Sequence, residues 1–338
     1  MNGQVKYIIF GASGDLSKRY LLPTLENIPV DAIPISRKDY PVLKNLIPAS
    51  GEKIFHLAIP PEGVTEVLEL IARNFGNSGV KILLEKPFGN DLATALDLVN
   101  HADKYFSEEQ IYRVDHYLAK RSAQNVTRKD WPRDNIKKIE ILASEQIGIE
   151  GRVNFYEKTG ALRDVVQSHL LELLALALAP EEQGMTPEVR VQVLQSLEVI
   201  CDITKRECVK RGQYEGYREE VGNPESLTET LVEVNIVSND PRWRGVEIKL
   251  ATGKALSEKF ARIKIIYREG AEKILNIDRE LDAYEKVILA ALKGERSLFM
   301  SKDEVLESWR ILDAIQATWK NRTDDLIIYK KGSNLEEI

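Results

Sequence analysis

Asp115 through Lys120 (Asp-His-Tyr-Leu-Ala-Lys) places an acid, an imidazole, a phenol and an ammonium in one short stretch. A second histidine, His169, follows five residues after Asp164 on a strongly apolar segment. A lone histidine on such a face is commonly a satisfied core residue; oriented by a carboxylate, it can serve as a general base. Asp115 is the carboxylate on offer. Taken alone, Asp115 and His116 also fit a strand end with solvated charges. The motifs on either side favour a site at the seam between two domains, where a cofactor meets a substrate.

Gly11-x-x-Gly14 follows an apolar run, Val5–Phe10, and opens a segment with helical spacing. In that setting backbone N–H groups and a helix N-terminus can approach a pyrophosphate, and glycines leave room for it. The full GxGxxG spacing is not present, so a plain strand–helix turn also fits. The residue after the second strand selects the dinucleotide: an acid bonds ribose hydroxyls, an arginine takes a 2′-phosphate. Here that stretch is Ser36-Arg37-Lys38-Asp39. Arg37 and Lys38 favour NADP, and Asp39 leaves NAD open. Glu85-Lys86-Pro87-Phe88-Gly89 ends another apolar run, at the sheet edge where ligands bind. Lys86–Pro87 is the kind of bond in which cis forms occur, although a trans loop is the commoner form.

These side chains need elements to hold them. Apolar runs at 5–10, 32–35, 54–59, 80–84 and 111–114 read as buried parallel strands. Pro34 cannot donate a ladder bond in the second of them. Helical patterns alternate with these runs, which predicts a doubly wound, Rossmann-like parallel sheet. Beyond residue 115 the pattern changes. Residues 136–145 alternate apolar and polar, 162–178 form an apolar helix carrying His169, and 187–209 read as a polar-patterned helix. Further strands are expected at 228–237, 246–250 and 263–267, and helices near 283–292 and 302–320. The expected fold class is therefore α/β plus α+β. Residues 1–115 form the dinucleotide-binding domain and 116–338 a substrate-binding α+β domain on a mostly antiparallel sheet.

A chain of 338 residues suits two domains. Its 43% hydrophobic and 30% charged residues are those of a globular protein, and the net charge of −6 argues against a nucleic-acid partner. Cys201 and Cys208 have no metal-ligand spacing and are expected as free thiols in a reducing cytoplasm. The first residues lack the pattern of a signal peptide, and no apolar run reaches the ~18 residues of a membrane span. A cytoplasmic protein with no membrane partner is expected.

Taken together, the motifs resemble the glucose-6-phosphate dehydrogenase family. Gly-Ala-Ser-Gly-Asp-Leu (11–16), Leu-Ala-Ile-Pro-Pro (57–61), Glu-Lys-Pro-Phe-Gly (85–89) and Arg-Val-Asp-His-Tyr-Leu-Ala-Lys (113–120) carry the resemblance in the first half. Arg-Asp-Val-Val-Gln-Ser-His-Leu-Leu (163–171), Thr-Glu-Thr (228–230), Gly-Lys-Ala-Leu (253–256) and Asp-Ala-Tyr-Glu (282–285) carry it in the second. The resemblance implies that His169 is the base and Asp115 its catalytic partner. It implies cofactor contacts at Gly11, Ser13, Gly14, Asp15, Leu16 and Arg37, with Lys86 reaching both cofactor and substrate. His116, Tyr117 and Lys120 match groups that grip the sugar phosphate. Glu145 and Asp164 match acids for the sugar hydroxyls, Lys254 a further substrate lysine, and Lys259 stands near another basic position. The implied reaction oxidises C1 of glucose 6-phosphate to 6-phosphogluconolactone with hydride transfer to NADP. No metal is expected, because a base and a hydride acceptor suffice.

The chain is shorter than typical family members, with the losses between Arg37 and Ile54 and between Tyr267 and Asp282. The second loss falls in the large sheet that helps form the family's dimer. A homo-oligomer is still expected, through a smaller or differently placed interface. Tyr20 stands where the family often has a basic residue, so one substrate contact is expected to be missing. A related sugar or sugar-phosphate dehydrogenase and a non-catalytic NADP or sugar-phosphate sensor are the rival readings.

Overall fold

The computed structural model describes residues 5–126, 133–180, 186–199, 208–278, 282–320 and 322–338. The chain divides into two units, Met1–Ala119 with Glu280–Leu306, and Lys120–Arg279 with Glu307–Ile338.

The first unit is built on β1 (Lys6–Phe10), β2 (Asp31–Ile35), β3 (Lys53–Leu57), β4 (Val80–Glu85) and β5 (Ile111–Val114). These strands run parallel in the order β5-β4-β3-β1-β2. They are apolar because both faces are covered, and β3 is buried along its whole length. β2 is an outer strand, the place where Pro34 is tolerated. Helices Val64–Phe75 and Leu92–Asp103 are crossovers between strands, and the side chain of Asp91 caps the second by accepting from the Thr94 N–H.

Sequence patterning places the domain boundary at 115 and assigns all that follows to the second domain. The structure instead returns Glu280–Leu306 to the first unit. The two-residue strand Phe299–Met300 pairs antiparallel with β5, and the Phe299 ring meets Tyr112 edge-on at 4.9 Å. Helix Ala283–Lys293 puts Ala283, Val287, Ile288 and Ala291 into the same core as Tyr7, Ile9 and Leu83. Burial of that apolar stripe explains the return.

The second unit holds β6 (Ile136–Ser144), β7 (Leu197–Val199), β8 (Val209–Tyr214), β9 (Leu231–Ser238), β10 (Glu247–Gly253), β11 (Phe260–Tyr267) and β12 (Glu272–Asn276). The sheet order is β12-β11-β6-β10-β9-β8, followed by a strand at Leu326–Tyr329; β7 pairs with β9. β10 with β6, and Leu326–Tyr329 with β8, run parallel; the other pairs are antiparallel. Helical residues Leu162–Leu178 are mostly buried. Lys138, Glu140, Lys249 and Glu233 from β6, β10 and β9 form a run of ion pairs at 2.8, 3.1 and 3.6 Å.

Two expectations for this unit fail. The helix expected over 187–209 ends at Gln195, and Leu197–Val199 pairs with β9 instead, so long-range pairing overrides the helical pattern. Cys208 is disulfide-bonded, not a free thiol; Cys201 lies outside the described residues. No helix among the described residues is long and apolar enough to cross a membrane.

Candidate functional site

The glycine loop is built by close strand approach. Gly11 has φ +82°, and a Cβ there would stand 2.1 Å from the Ala58 carbonyl oxygen. Only glycine fits, and the clash is with the segment after β3 before any ligand is considered. The N–H groups of Gly11 and Ala12 donate to the Ile35 carbonyl at 3.1 and 3.3 Å, and the Ser17 hydroxyl donates to the Gly11 carbonyl at 2.9 Å. A π-helical turn, Ser17–Leu21, then starts the following helix.

Beside this loop is a cavity of about 440 Å³, within the range of small-molecule sites. Gly11 and Ser13 line it from the loop, and Ser36, Arg37 and Tyr40 from the segment after β2. Glu62 lines it from the short turn Pro61–Gly63, and Glu66 from the first turn of helix Val64–Phe75. A strict glycine, a tight loop at the carboxyl end of β1 and a neighbouring cation fit the adenosine half of a dinucleotide.

Three of the expected cofactor residues, Gly11, Ser13 and Arg37, thus come together. Gly14 is not in the lining; its N–H closes the turn onto the Gly11 carbonyl at 2.9 Å. Asp15 is exposed and pairs with Arg19 at 2.7 Å, and Leu16 packs against the apolar core. Asp39, the acid that left NAD open, is engaged elsewhere. Its carboxylate accepts from the Ser36 hydroxyl at 2.6 Å and the Ser36 N–H at 2.8 Å. Those bonds, the hydroxyl's first, lower its pKa. Glu62, Glu66 and Tyr40 escaped the sequence reading. Their only signal was position after a Pro-Pro turn and after a strand.

At the carboxyl edge of the same sheet, Lys86 follows β4 and the Lys86–Pro87 bond is cis. The preceding Glu85 accepts from or shares a proton with buried His56 at 2.7 Å, and the other ring nitrogen of His56 meets the Tyr7 hydroxyl at 2.8 Å. Asp115 is fully buried and its carboxylate accepts the Tyr117 N–H at 2.8 Å. His116 and Tyr117 are half-buried with ring centroids 5.2 Å apart. Tyr20 packs against Tyr284, whose pKa burial raises, with the Glu85 and Asp115 charges adding to the effect.

In the second unit, Glu145 and Lys254 form an ion pair. Lys254 is only 3% exposed, and its ammonium sits 5.2 Å above the Tyr156 ring. Its backbone is fixed from both sides: its N–H donates to Thr230 at 2.9 Å, and its carbonyl accepts the Tyr329 hydroxyl at 2.8 Å. The next residue, Ala255, takes φ +52°, a left-handed turn uncommon for a residue with a side chain. Lys120 is buried, at the N-terminal cap of helix Arg121–Asn125, whereas Lys259 is exposed ahead of β11. No described contact joins Lys259 to the Glu145–Lys254 pair.

Asp164 and His169 lie on Leu162–Leu170, which is wound as a π-helix. In an α-helix, residues five apart point about 140° from each other. π winding, with i→i+5 bonding, draws them toward one face, and such turns are frequent at functional sites. The start of this helix is held by Glu229, from the Thr-Glu-Thr stretch. Its buried carboxylate accepts the Leu162 N–H at 3.0 Å, and its carbonyl accepts the Ala161 N–H at 3.0 Å. Burial raises the pKa of Glu229. The Tyr156 hydroxyl is buried with no hydrogen-bond partner among the described residues, and its pKa is raised by burial first and by the Asp164 charge next. This unit thus carries a buried cation, Lys254, the acids Glu145 and Asp164, and the imidazole of His169.

Residues 35–125 match the model of the glucose-6-phosphate dehydrogenase NAD binding domain. Residues 118–281 and 275–337 match the model of the glucose-6-phosphate dehydrogenase C-terminal domain. A glucose-6-phosphate 1-dehydrogenase of Gluconobacter oxydans is 28% identical, over 97% of this chain and 93% of its own. The cytoplasmic glucose-6-phosphate 1-dehydrogenase 6 of Arabidopsis thaliana is 30% identical, over 87% of this chain and 70% of its own. The crystal structure of a Mycobacterium avium glucose-6-phosphate 1-dehydrogenase superposes with a TM-score of 0.85 at 25% identity, covering 98% of this chain and 95% of that one.

Proposed function

The chain belongs to the glucose-6-phosphate dehydrogenase family, and on that premise we propose that it oxidises glucose 6-phosphate at C1, with NADP as the preferred acceptor. When bound, the dinucleotide supplies the hydride acceptor. His169 takes the proton from the C1 hydroxyl, the O–H electron pair becomes the new C=O bond, and the C1 hydrogen leaves with its own electron pair. The product is 6-phosphogluconolactone. Asp115 holds the imidazole in the tautomer that accepts this proton and stabilises the imidazolium that forms.

His116, Tyr117 and Lys120 hold the phosphate, away from the reacting carbon. Glu145 and Asp164 accept hydrogen bonds from the sugar hydroxyls, while Lys254, Lys259 and Lys86 supply positive charge. Arg37 takes the 2′-phosphate of NADP. The observation that carries the reading is Lys254, buried at 3% exposure, paired with Glu145 and fixed through its backbone. The pair sets a buried ammonium donor beside a part-exposed carboxylate acceptor, a combination that a phosphorylated sugar can engage with both its charge and its hydroxyls.

The test mixes purified protein with NADP and glucose 6-phosphate and follows the absorbance of reduced nicotinamide. A panel of other sugar phosphates and free sugars runs in parallel. Protein that binds both ligands yet never reduces NADP would refute the enzyme reading, and faster turnover of another sugar would refute the substrate. A cytoplasmic homo-oligomer is part of the same proposal, since two-fold assembly is the default for such enzymes. Light scattering that gives a monomer at working concentration would refute it.

A further inference from the structure

We propose that Glu66, with Glu62 beside it, is a specificity-determining residue that holds the Arg37 cavity back from NADP and keeps it open to NAD. This rests on reading the cavity as the ribose end of the dinucleotide site.

The charges lining the cavity are one guanidinium, Arg37, and two carboxylates, Glu62 and Glu66. Arg37 reaches across to Glu66 at 3.8 Å. The two side chains are 87% and 58% exposed, so the pair is weak and easily exchanged. Lys38 does not line the cavity, and Asp39 is held by Ser36. Glu66 also acts electrostatically on Tyr40 within the same cavity, where Arg37 opposes it.

The two dinucleotides meet this set differently. The 2′-phosphate of NADP brings nearly two negative charges near neutral pH. It must draw Arg37 off Glu66 and then lie among two like charges. The ribose of NAD brings two neutral hydroxyls instead, and each can donate to a carboxylate. Glu66 therefore penalises the first ligand and serves the second. The two effects oppose the pull of Arg37 and leave a site that discriminates only modestly.

The experiment is a titration of the full chain with NADP and with NAD, followed by calorimetry or by intrinsic fluorescence, for the wild type and Glu66→Gln. Glutamine keeps the length and the hydrogen bonding but removes the charge. NADP should bind about five- to tenfold more tightly, the size expected for removing one charge several ångströms from a phosphate at the surface. NAD should bind equally well or more weakly. The gain should shrink as ionic strength rises, which a packing change would not do. In an Arg37→Ala background it should also shrink, because part of it comes from releasing Arg37. Equal shifts for the two dinucleotides, or no tightening of NADP, would overturn the role of Glu66. A wild type that binds neither dinucleotide would overturn the cavity reading itself, and this inference with it.

Discussion

Replacing Gly160 with alanine tests how the helix bearing Asp164 and His169 is held. Gly160 has φ 64° and ψ 176°, a region open essentially to glycine alone. A residue with a side chain there costs about 1–3 kcal/mol in backbone strain. The new Cβ would also stand 2.3 Å from a Glu229 carboxylate oxygen, so that carboxylate must move. Its bond to the buried Leu162 N–H would then be lost, at about 1–3 kcal/mol for the orphaned donor. Gly160→Ala should therefore cost about 2–6 kcal/mol. Glu229→Ala loses the same bond without the strain and should cost about 1–3 kcal/mol. Because both variants lose one shared bond, the double variant should cost about 1–3 kcal/mol less than the sum of the singles. Urea unfolding of the four proteins at neutral pH measures this cycle. Additive losses, or a Gly160→Ala cost below about 1 kcal/mol, would refute the account.

Glu229→Gln keeps an acceptor for Leu162 but cannot ionise. Since burial raises the Glu229 pKa in the folded state, its share of stability is present at acid pH and lost as pH rises through the folded value. The glutamine variant should lack that decline, and an unchanged pH slope in unfolding experiments would contradict it. His169→Asn should lower turnover by about 10²–10⁴-fold with NADP affinity unchanged, the usual contribution of a positioned base, and near-normal turnover would remove His169 from the chemistry. Lys120→Ala should raise the KM for glucose 6-phosphate and leave whatever rate free glucose gives unaffected; equal loss on both would make Lys120 structural.

Legibility followed the range of the interactions. The five parallel strands and the helices at 64–75 and 283–293 were readable because burial on a sheet or on one helix stripe imposes a pattern on nearby residues. The pattern failed at Leu197–Val199, at the two residues Phe299–Met300 and at Leu326–Tyr329. These form strands by pairing with segments remote in the chain. At the cavity beside the glycine loop, a charged residue after a strand was visible as a candidate. Whether it faced the cavity was not. Arg37 does, while Asp39, two residues on, turns back to Ser36.

The sequence by itself determined the fold class, the family and the identity of the candidate groups. Each of these rests on residues close enough in the chain to show a period or a motif. Tertiary structure alone decided that Glu62 and Glu66 face Arg37, that Glu229 caps the helix of His169, and that Lys254 is buried over Tyr156 against Glu145. The physical reason is that such contacts are selected by packing and hydrogen-bond satisfaction among distant segments. A buried donor or charge must find a partner wherever the fold brings one, and no local spacing announces which residue that will be.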